Sequence, residues 1–191
     1  MSPSQLIREL LAPQLVPNDA ELDAMLACLR PASFAAGASI YRQGWVAHDI
    51  VLMETGLVRA YYVHGGRDVN LRLLSAPSVA ATMTSLITGE AAQEWVEAIN
   101  PVVGYRADLE MLARSSEKLA ESIHRLMAEQ HYLALERRLR MLQHKSVAER
   151  YAYFCEHMEQ AIVQTTPGYH VASYLGVSPE TLSRVRRTRR S

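Results

Sequence analysis

The chain has 191 residues, of which 49% are hydrophobic and 21% are charged, and its 20 basic residues balance its 20 acidic ones. This composition is typical of a globular protein with one large domain or two small ones, and it excludes a disordered chain. Two cysteines are too few for an iron–sulfur cluster or a structural zinc site built mainly from thiolates. No apolar run approaches the ~18 residues of a membrane span and no signal peptide is recognisable, so a cytoplasmic protein without membrane contact is predicted.

The charges are distributed unevenly along the chain. Residues 1–110 contain 7 basic and 12 acidic residues, whereas residues 137–191 contain 10 basic and 4 acidic ones. Much of the basic excess lies at the C-terminus, in Arg184, Arg186, Arg187, Arg189 and Arg190. Such a segment attracts nucleic-acid phosphates, although a solvated basic tail has the same composition.

The first 30 residues predict two short helices. Leu6, Leu10 and Leu11 fall on one face of the first helix, and prolines then interrupt the pattern. Pro31 is expected to end the second helix. The apolar residues of the second helix are Leu22, Met25, Leu26 and Leu29.

From Ala32 to about Asp108 the apolar period changes to that of strands. Short β-like segments recur between glycine-containing turns, which is typical of an antiparallel sandwich or barrel. The predicted strands are residues 39–41, 49–53, 57–63, 69–74 and 95–99. Because helices precede and follow these strands, the predicted fold class is α+β.

Residues 109–143 predict a long helix without an internal glycine or proline. Leucines recur in it at intervals of seven residues, a pattern that favours pairing with a second copy of the same helix. The predicted dimer interface consists of Leu112, Leu119, Ile123, Leu126 and Leu133. Packing of this helix on its own β-domain is the alternative explanation for part of the apolar surface.

The segment from Gly168 to Arg187 predicts two short helices joined by a tight turn. Gly176 can adopt the positive φ of such a turn, Ser178 can cap the second helix, and Pro179 suits its first position. The apolar seam between the helices is Val171, Leu175, Val177, Leu182 and Val185. This pattern is typical of a DNA-reading helix-turn-helix, and a packed helical hairpin without a ligand is the alternative.

The second helix carries polar residues opposite its apolar seam. Its first residues and backbone N–H groups are expected to bind phosphates. Glu180 can accept a hydrogen bond from cytosine N4, Ser183 can contact a base or a phosphate, and Arg184 can donate two hydrogen bonds to guanine. The predicted DNA-binding residues are Ser178, Pro179, Glu180, Thr181, Ser183, Arg184 and Arg187.

Both halves of the chain carry motifs of one known family. The glycine framework of the cyclic-nucleotide-binding β-roll is similar to Gly37-Ala-Ser-Ile40, Gly44, Asp49, Gly56-Leu-Val-Arg59 and Gly65/Gly66. The segment Glu180-Thr-Leu-Ser-Arg184 is similar to the family's reading helix, with Pro179 in place of an arginine often found there. Over roughly residues 20–188 the chain resembles the Crp/Fnr family of bacterial transcription regulators.

The resemblance implies a division of labour along the chain. Residues 1–108 would form a cyclic-nucleotide-binding-like sensor, residues 109–143 a dimerisation helix, and residues 144–191 the DNA-binding domain. A homodimeric regulator of this kind reads a two-fold-symmetric operator in double-stranded DNA, with half-sites about one helical turn (~34 Å) apart. The resemblance also implies an RNA polymerase partner and a small-molecule effector, whose identity the sequence leaves open.

The charged groups that hold a cyclic nucleotide in this family are missing. The family supplies a Gly-Glu pair for the ribose and an Arg-Ser or Arg-Thr pair for the phosphate, where this chain has Ala81-Thr82 and Ala92-Gln93. Residues 73–105 contain no lysine or arginine, and a buried phosphate without a partner costs several kcal/mol. Cyclic AMP is therefore not expected to bind in the usual way. A small apolar or neutral effector can be placed in the β-roll near Thr82, Met83, Thr84 and Trp95, and the sequence leaves open whether one exists.

Other functions receive less support. A β-roll module whose helix-turn-helix no longer reads DNA is the main alternative to a regulator. An enzyme is not expected, because the sequence has no nucleophile elbow, phosphate loop or metalloprotease motif. No cofactor or metal is predicted, since His48, His64 and His124 lack the spacing of haem ligands. His124 and His131, seven residues apart, also fit a pH-sensitive patch at the dimer seam, although a solvated face is the simpler explanation.

Overall fold

Two four-stranded antiparallel sheets face each other in the first half of the chain, and helices make up the second half. The computed structural model describes residues 1–188; Arg189 and Arg190, counted above in the basic tail, lie outside the described residues. The elements in chain order are α1 (Pro3–Leu11), α2 (Asp19–Ala27), β1 (Leu29–Phe34), β2 (Ser39–Tyr41), β3 (Asp49–Thr55), β4 (Leu57–His64), β5 (Arg67–Ser75), β6 (Ser78–Ala80), α3 (Met83–Thr88), β7 (Trp95–Ala98), β8 (Val102–Asp108), α4 (Leu109–Ser115), α5 (Glu117–Gln143), α6 (Val147–His157), α7 (Gln160–Thr165), α8 (Gly168–Leu175) and α9 (Pro179–Thr188).

The two sheets confirm the predicted β-roll and the α+β class. Sheet 1 has the strand order β1-β8-β3-β6, and sheet 2 has the order β2-β7-β4-β5. Side chains alternate between the faces of each strand, so Val51 and Met53 of β3 meet Val58 and Ala60 of β4 between the sheets. The roll interior is therefore a packed apolar core.

Sequence patterning missed three strands, β1, β6 and β8. Pro31 does not end the second helix as expected; α2 ends at Ala27, and Pro31 lies within β1. β1 is an edge strand of sheet 1, where a residue without an N–H group is tolerated. β6 is only three residues long, and β8 follows directly after the turn at Asn100-Pro101.

A second core covers the outer face of sheet 1. Ile50 and Leu52 of β3 point away from the roll interior and pack against α1, α2, α4 and α5. Four of the five predicted dimer residues also lie in this core, namely Leu112, Leu119, Ile123 and Leu126. Each is at most 7% exposed, so these four side chains pack within their own chain, and their place in a dimer interface stays a prediction. Leu133 alone among the five is exposed, at 48%.

The predicted helix over residues 109–143 is divided at Ser116. α4 begins at Leu109, where Asp108 accepts a hydrogen bond from the N–H of Met111 (2.9 Å), and it ends at Ser115. Ser116 leaves helical geometry, with φ −155° and ψ 89°. α5 then runs unbroken for 27 residues. No helix among residues 1–188 is long and apolar enough to span a membrane.

A third core joins the C-terminal helices to the roll. Phe154, Val171 and Leu175 are fully buried in it, together with Met141 from the end of α5. Leu57 of β4 and Leu73 of β5 belong to the same core. The outer face of sheet 2 therefore supplies part of the apolar support for the helices that follow. The division into three domains at residues 108 and 143 stays a prediction.

Candidate DNA interface and sensor pocket

The turn between α8 and α9 has the geometry of a helix-turn-helix corner. Gly176 adopts φ +71° and ψ +36°, a conformation that side chains other than glycine rarely adopt. Its N–H donates to the carbonyl of Ser173 (3.1 Å), and the N–H of Val177 donates to that of Ala172 (3.0 Å). This pair of bonds is a Schellman motif, which satisfies the last carbonyls of α8. α9 begins at Pro179.

The apolar side of α9 packs on the C-terminal core, and its polar side is exposed to solvent. Leu182 is 1% exposed and packs in the C-terminal core with Ala172 and Leu175, while Val185 is half-buried. Of the predicted DNA-binding residues, Thr181 is half-buried and six are exposed: Ser178, Pro179, Glu180, Ser183, Arg184 and Arg187. The structure thus brings the predicted residues to one exposed surface of α9.

Two side chains near the start of α9 have defined electrostatic states. The hydroxyl of Ser178 accepts from the N–H of Thr181 (3.3 Å), which is an N-terminal cap. Hydrogen bonding by Ser178 lowers the pKa of Glu180 below its ordinary value, and Arg184 acts in the same direction. Glu180 is therefore ionised at neutral pH and can only accept hydrogen bonds, as its predicted contact with cytosine requires.

The arginines of α9 have different surroundings. The guanidinium of Arg186 lies 5.3 Å from the ring centroid of Tyr151 on α6, and its Nε is buried. Arg184 is exposed on the polar side of the helix. Arg186 therefore packs against the C-terminal helices, whereas Arg184 is exposed to solvent.

Helix α8 is bound to sheet 2 by hydrogen bonds at Asn70 of β5, a residue without exposed surface. The N–H of Asn70 donates to the hydroxyl of Ser173 (2.9 Å), and this hydroxyl donates to the carbonyl of Asp68 (2.8 Å). The side-chain Nδ2 of Asn70 donates to the carbonyl of His170 (2.9 Å). Arg138 of α5 donates to the carbonyl of Asn70 (2.8 Å). Strand β5 thus fixes α5 and α8 at one point.

A buried arginine completes this contact. Arg59 of β4 donates to Glu97 (3.0 Å), to Asp68 (2.7 Å) and to Oδ1 of Asn70 (3.3 Å). Its Nη1 also lies 3.3 Å from Nδ1 of His170. Since Arg59 can only donate, Nδ1 accepts and the imidazole is neutral. Burial and the Arg59 charge lower the pKa of His170 to about 4. The sequence assigned these residues no such role, because the contacts join segments about 100 residues apart.

The segment aligned with the family's nucleotide-binding residues is closed by an internal ion pair. Ala81 and Ala92 are buried, and Gln93 is exposed. Arg72 of β5 donates to the carbonyl of Ala81 (2.9 Å) and forms a buried salt bridge with Glu94. Arg72 directly precedes the segment 73–105 that lacks basic residues, and sequence reasoning missed it for that reason.

The predicted effector residues do not form one site. Thr82 is fully buried and lies with Tyr41 and Trp45 on a pocket of about 170 Å³. Met83 borders a separate cavity of about 450 Å³, and Thr84 is half-buried. Trp95 stacks on Tyr61 at 6.5 Å on the outer face of sheet 2, because Val96 and Ala98 point into the roll. Trp95 is thereby separated from Thr82.

Comparisons with known proteins agree with this architecture. No protein-family model and no curated protein matches the sequence. Among solved structures, the chain is similar to FixK2 from Bradyrhizobium japonicum, with a TM-score of 0.71, 22% identity, and 84% of this chain and 83% of the other covered. It is also similar to the c-di-GMP-responsive global regulator CLP from Xanthomonas campestris, with a TM-score of 0.70, 14% identity and coverage of 91% and 92%.

A third similar structure is a Crp/Fnr-family transcriptional regulator from Eubacterium rectale, with a TM-score of 0.69, 18% identity and coverage of 93% and 85%. The three alignments extend over most of each chain. The resemblance to Crp/Fnr regulators and the predicted fold are therefore confirmed at the level of three-dimensional structure.

Proposed function

We propose that this protein is a transcription regulator of the Crp/Fnr type that binds double-stranded DNA through α9. The observation that carries the proposal is the exposed polar face of α9, held on a Schellman turn and a buried Leu182, in a chain with the fold of such regulators. An α-helix of this kind fits the major groove of B-form DNA, about 12 Å wide. The proposal does not include catalysis.

Four polar residues at the start of the second helix have chemical roles in this proposal: Ser178, Glu180, Thr181 and Arg184. Ser178, Thr181 and the N–H groups at the start of the helix bind phosphates, where the helix dipole favours negative charge. Ionised Glu180 accepts from cytosine N4, and Arg184 donates to O6 and N7 of guanine. Neither residue type can exchange roles with the other, because the carboxylate only accepts and the guanidinium only donates.

A homodimer is part of the proposal, with an interface that differs from the leucine repeat of the sequence analysis. The exposed half of α5 presents Tyr132, Leu135 and Leu139, which are 64%, 42% and 59% exposed. With Ala128 and Leu142, both half-buried, they follow the 4-3-4-3 spacing of a coiled-coil seam. We call these five residues the α5 stripe. A two-fold axis along the α5 stripe would give the complex two copies of α9, as a two-fold-symmetric operator requires.

The proposed sensor, the β-roll, does not bind a cyclic nucleotide in the way usual for the family. The Arg72–Glu94 pair already neutralises the one buried arginine near Ala81. A cyclic nucleotide phosphate at Ala81 and Ala92 would compete with Glu94 for Nη2 of Arg72, and residues 73–105 supply no lysine or arginine. An effector of another chemical class and contact with RNA polymerase stay expectations drawn from the resemblance, and a cytoplasmic location stays an expectation drawn from the sequence.

Selection of bound sequences from a random DNA pool tests the DNA-binding proposal. The full chain is expected to enrich a two-fold-symmetric motif with half-sites about one helical turn apart. Arg184→Ala should weaken binding to that motif by about 1–3 kcal/mol and relax preference at one base pair per half-site.

The matched control is Arg114→Ala, which removes the same charge from an exposed position on α4. It should leave the motif and the affinity within about twofold of the parent protein. Enrichment of no motif by the folded chain would contradict the proposal and would favour a β-roll module whose helix-turn-helix does not read DNA. Uniform weakening of Arg184→Ala on all sequences would assign Arg184 to the phosphate backbone.

A further inference from the structure

A cavity of about 450 Å³ lies between α1, the outer face of sheet 1 and α5. Its apolar wall includes Ile7 and Leu11 of α1, Leu52 of β3, and Ile123 and Leu126 of α5. This volume is within the range of small-molecule sites, roughly 300–1,000 Å³. The lining does not include Ala81, Thr82, Ala92 or Gln93 among the described residues. The cavity therefore adjoins the segment aligned with the cyclic-nucleotide contacts only through Arg72, which lines the cavity and donates to the carbonyl of Ala81.

One part of the cavity lining is polar and incompletely satisfied. Arg72 of β5 and His131 of α5 both line it. Within residues 1–188, Nε of Arg72 and Nδ1 of His131 are buried and have no hydrogen-bond partner. Arg72 is only 8% exposed. A buried polar group without a partner costs about 1–3 kcal/mol, so a ligand that supplies the missing acceptor recovers this free energy.

The charges around these two groups favour an anionic head. Burial, and after it the charge of Arg72, lower the pKa of His131 to about 4, so His131 is neutral at neutral pH and Arg72 is the charged donor. The other charged residues of the lining are Glu9, Arg137 and Glu159. A carboxylate accepts hydrogen bonds more strongly than a neutral oxygen when a donor is charged. Arg72 Nε donates, and Nδ1 of neutral His131 donates when it carries the ring proton. In that tautomer the two groups fit an apolar molecule that carries one carboxylate.

We propose that this cavity binds an amphipathic monocarboxylate, with its head on Arg72 Nε and His131 Nδ1 and its apolar body against α1 and α5. The site lies away from the proposed DNA-binding surface and does not depend on it.

A bound ligand would also act on the C-terminal helices, and only this regulatory effect rests on the proposed function. Glu159, which lines the cavity and accepts from Ser75, directly precedes α7. Arg138 of α5, next to the lining residue Arg137, holds Asn70. A bound ligand therefore contacts the neighbours of the residues that position α8.

The test uses the full-length protein without DNA, so that its result is independent of operator binding. The fluorescent probe 1-anilinonaphthalene-8-sulfonate carries an apolar body and one negative charge, and decanoate and 1-decanol compete for it as a matched charged and neutral pair. Decanoate is expected to displace the probe at micromolar concentration with a stoichiometry of one per chain. 1-Decanol should need at least a tenfold higher concentration, because it lacks the anionic head.

Variants locate the site. His131→Leu should weaken decanoate at least fivefold and change 1-decanol less than twofold. His124→Leu, an exposed histidine one heptad earlier on α5, is the matched control and should behave like the parent. Ala134→Trp fills the cavity and should abolish displacement by both compounds. Thermal unfolding by circular dichroism identifies variants that fold.

Three results would overturn the proposal. The first is no displacement by millimolar decanoate. The second is equal potency of decanoate and 1-decanol. The third is an unchanged decanoate affinity in folded His131→Leu.

Discussion

Arg59 and His170 are 111 residues apart in the sequence, yet Nη1 of Arg59 lies 3.3 Å from Nδ1 of His170. The arginine belongs to β4 and the histidine to α8, the first helix of the helix-turn-helix. The β-roll and the helix-turn-helix thus share a buried polar contact in addition to an apolar core. Because the arginine is permanently charged, the contact requires a neutral histidine.

The first prediction concerns pH and stability. The pKa of His170 falls from its ordinary value of 6.5 to about 4 in the folded chain. The unfolded chain therefore takes up a proton on this residue near pH 6.5, and the folded chain does so only near pH 4. Stability contributed by neutral His170 is complete above pH 6.5 and is lost as the pH falls toward 4. His131 has a similar shift and adds to this loss.

Urea unfolding of His170→Asn at pH 7 and pH 5 measures this contribution. The asparagine keeps an acceptor for Arg59 but does not titrate. Its loss of stability between the two pH values should be about 1–2 kcal/mol smaller than that of the parent chain. His64→Asn replaces an exposed histidine on β4 and should retain the parental pH dependence. An equal pH dependence in His170→Asn and the parent would contradict the assigned neutral state.

A second prediction concerns the buried ion pair in the roll. Glu94→Gln leaves the Arg72 charge buried without a counter-charge and should destabilise the chain by about 3–5 kcal/mol. The double variant Arg72→Met/Glu94→Met removes both charges and should recover most of this loss. Chemical unfolding at pH 7 gives the free energies, with the exposed Glu90→Gln as control. Additive losses in the double variant would show that the two charges do not act as a pair.

The two arginines of α9 provide a third prediction. Arg186 packs over Tyr151, so Arg186→Ala should lower the free energy of unfolding by about 1 kcal/mol. Its DNA motif should stay that of the parent. Arg184→Ala should do the opposite, changing the motif and leaving the stability within about 0.5 kcal/mol. Parallel unfolding and DNA-selection measurements compare the two variants, and a loss of motif in Arg186→Ala would place it among the DNA contacts.

The fourth prediction separates the two candidate dimer surfaces on α5. Leu139→Glu places a charge within the α5 stripe and should convert the dimer to a monomer in sedimentation velocity at micromolar concentration. Leu133→Glu changes the same residue type six residues away on α5, outside the stripe, and should leave the dimer intact. Dissociation by Leu133→Glu alone would support the leucine repeat instead. Neither substitution should unfold the chain, since both leucines are exposed.

Local patterns predicted those parts of the molecule whose geometry depends on neighbouring residues. Alternation between turns located β3, β4, β5 and β7, and the Gly176–Ser178–Pro179 sequence located the turn and the start of α9. Strand β1 was not predicted, because Pro31 disfavours a strand. A proline is nevertheless tolerated in an edge strand such as β1. β6 is too short for an alternation to be visible.

Contacts between distant segments could not be predicted in the same way. The leucine repeat correctly indicated an apolar face on the helix over residues 109–143. Which partner covers that face depends on α1 and α2, which fold back over it. The contacts of Asn70 with Ser173 and His170 have no local signature either, since a buried asparagine in a strand and a histidine in a helix are unremarkable separately.

The apolar core shared by Leu57, Leu73 and the C-terminal helices limits how the reading head can be reused. A head transplanted onto another β-roll would meet a foreign sheet surface where Leu57 and Leu73 should be, and it would lack Asn70 and Arg59 as anchors. Chimeric regulators built by joining at residue 144 would therefore need compensating changes on β4 and β5. Under the proposed function, substitutions on the exposed side of α9 would change DNA preference without disturbing these contacts, whereas exchange of all C-terminal helices would break them.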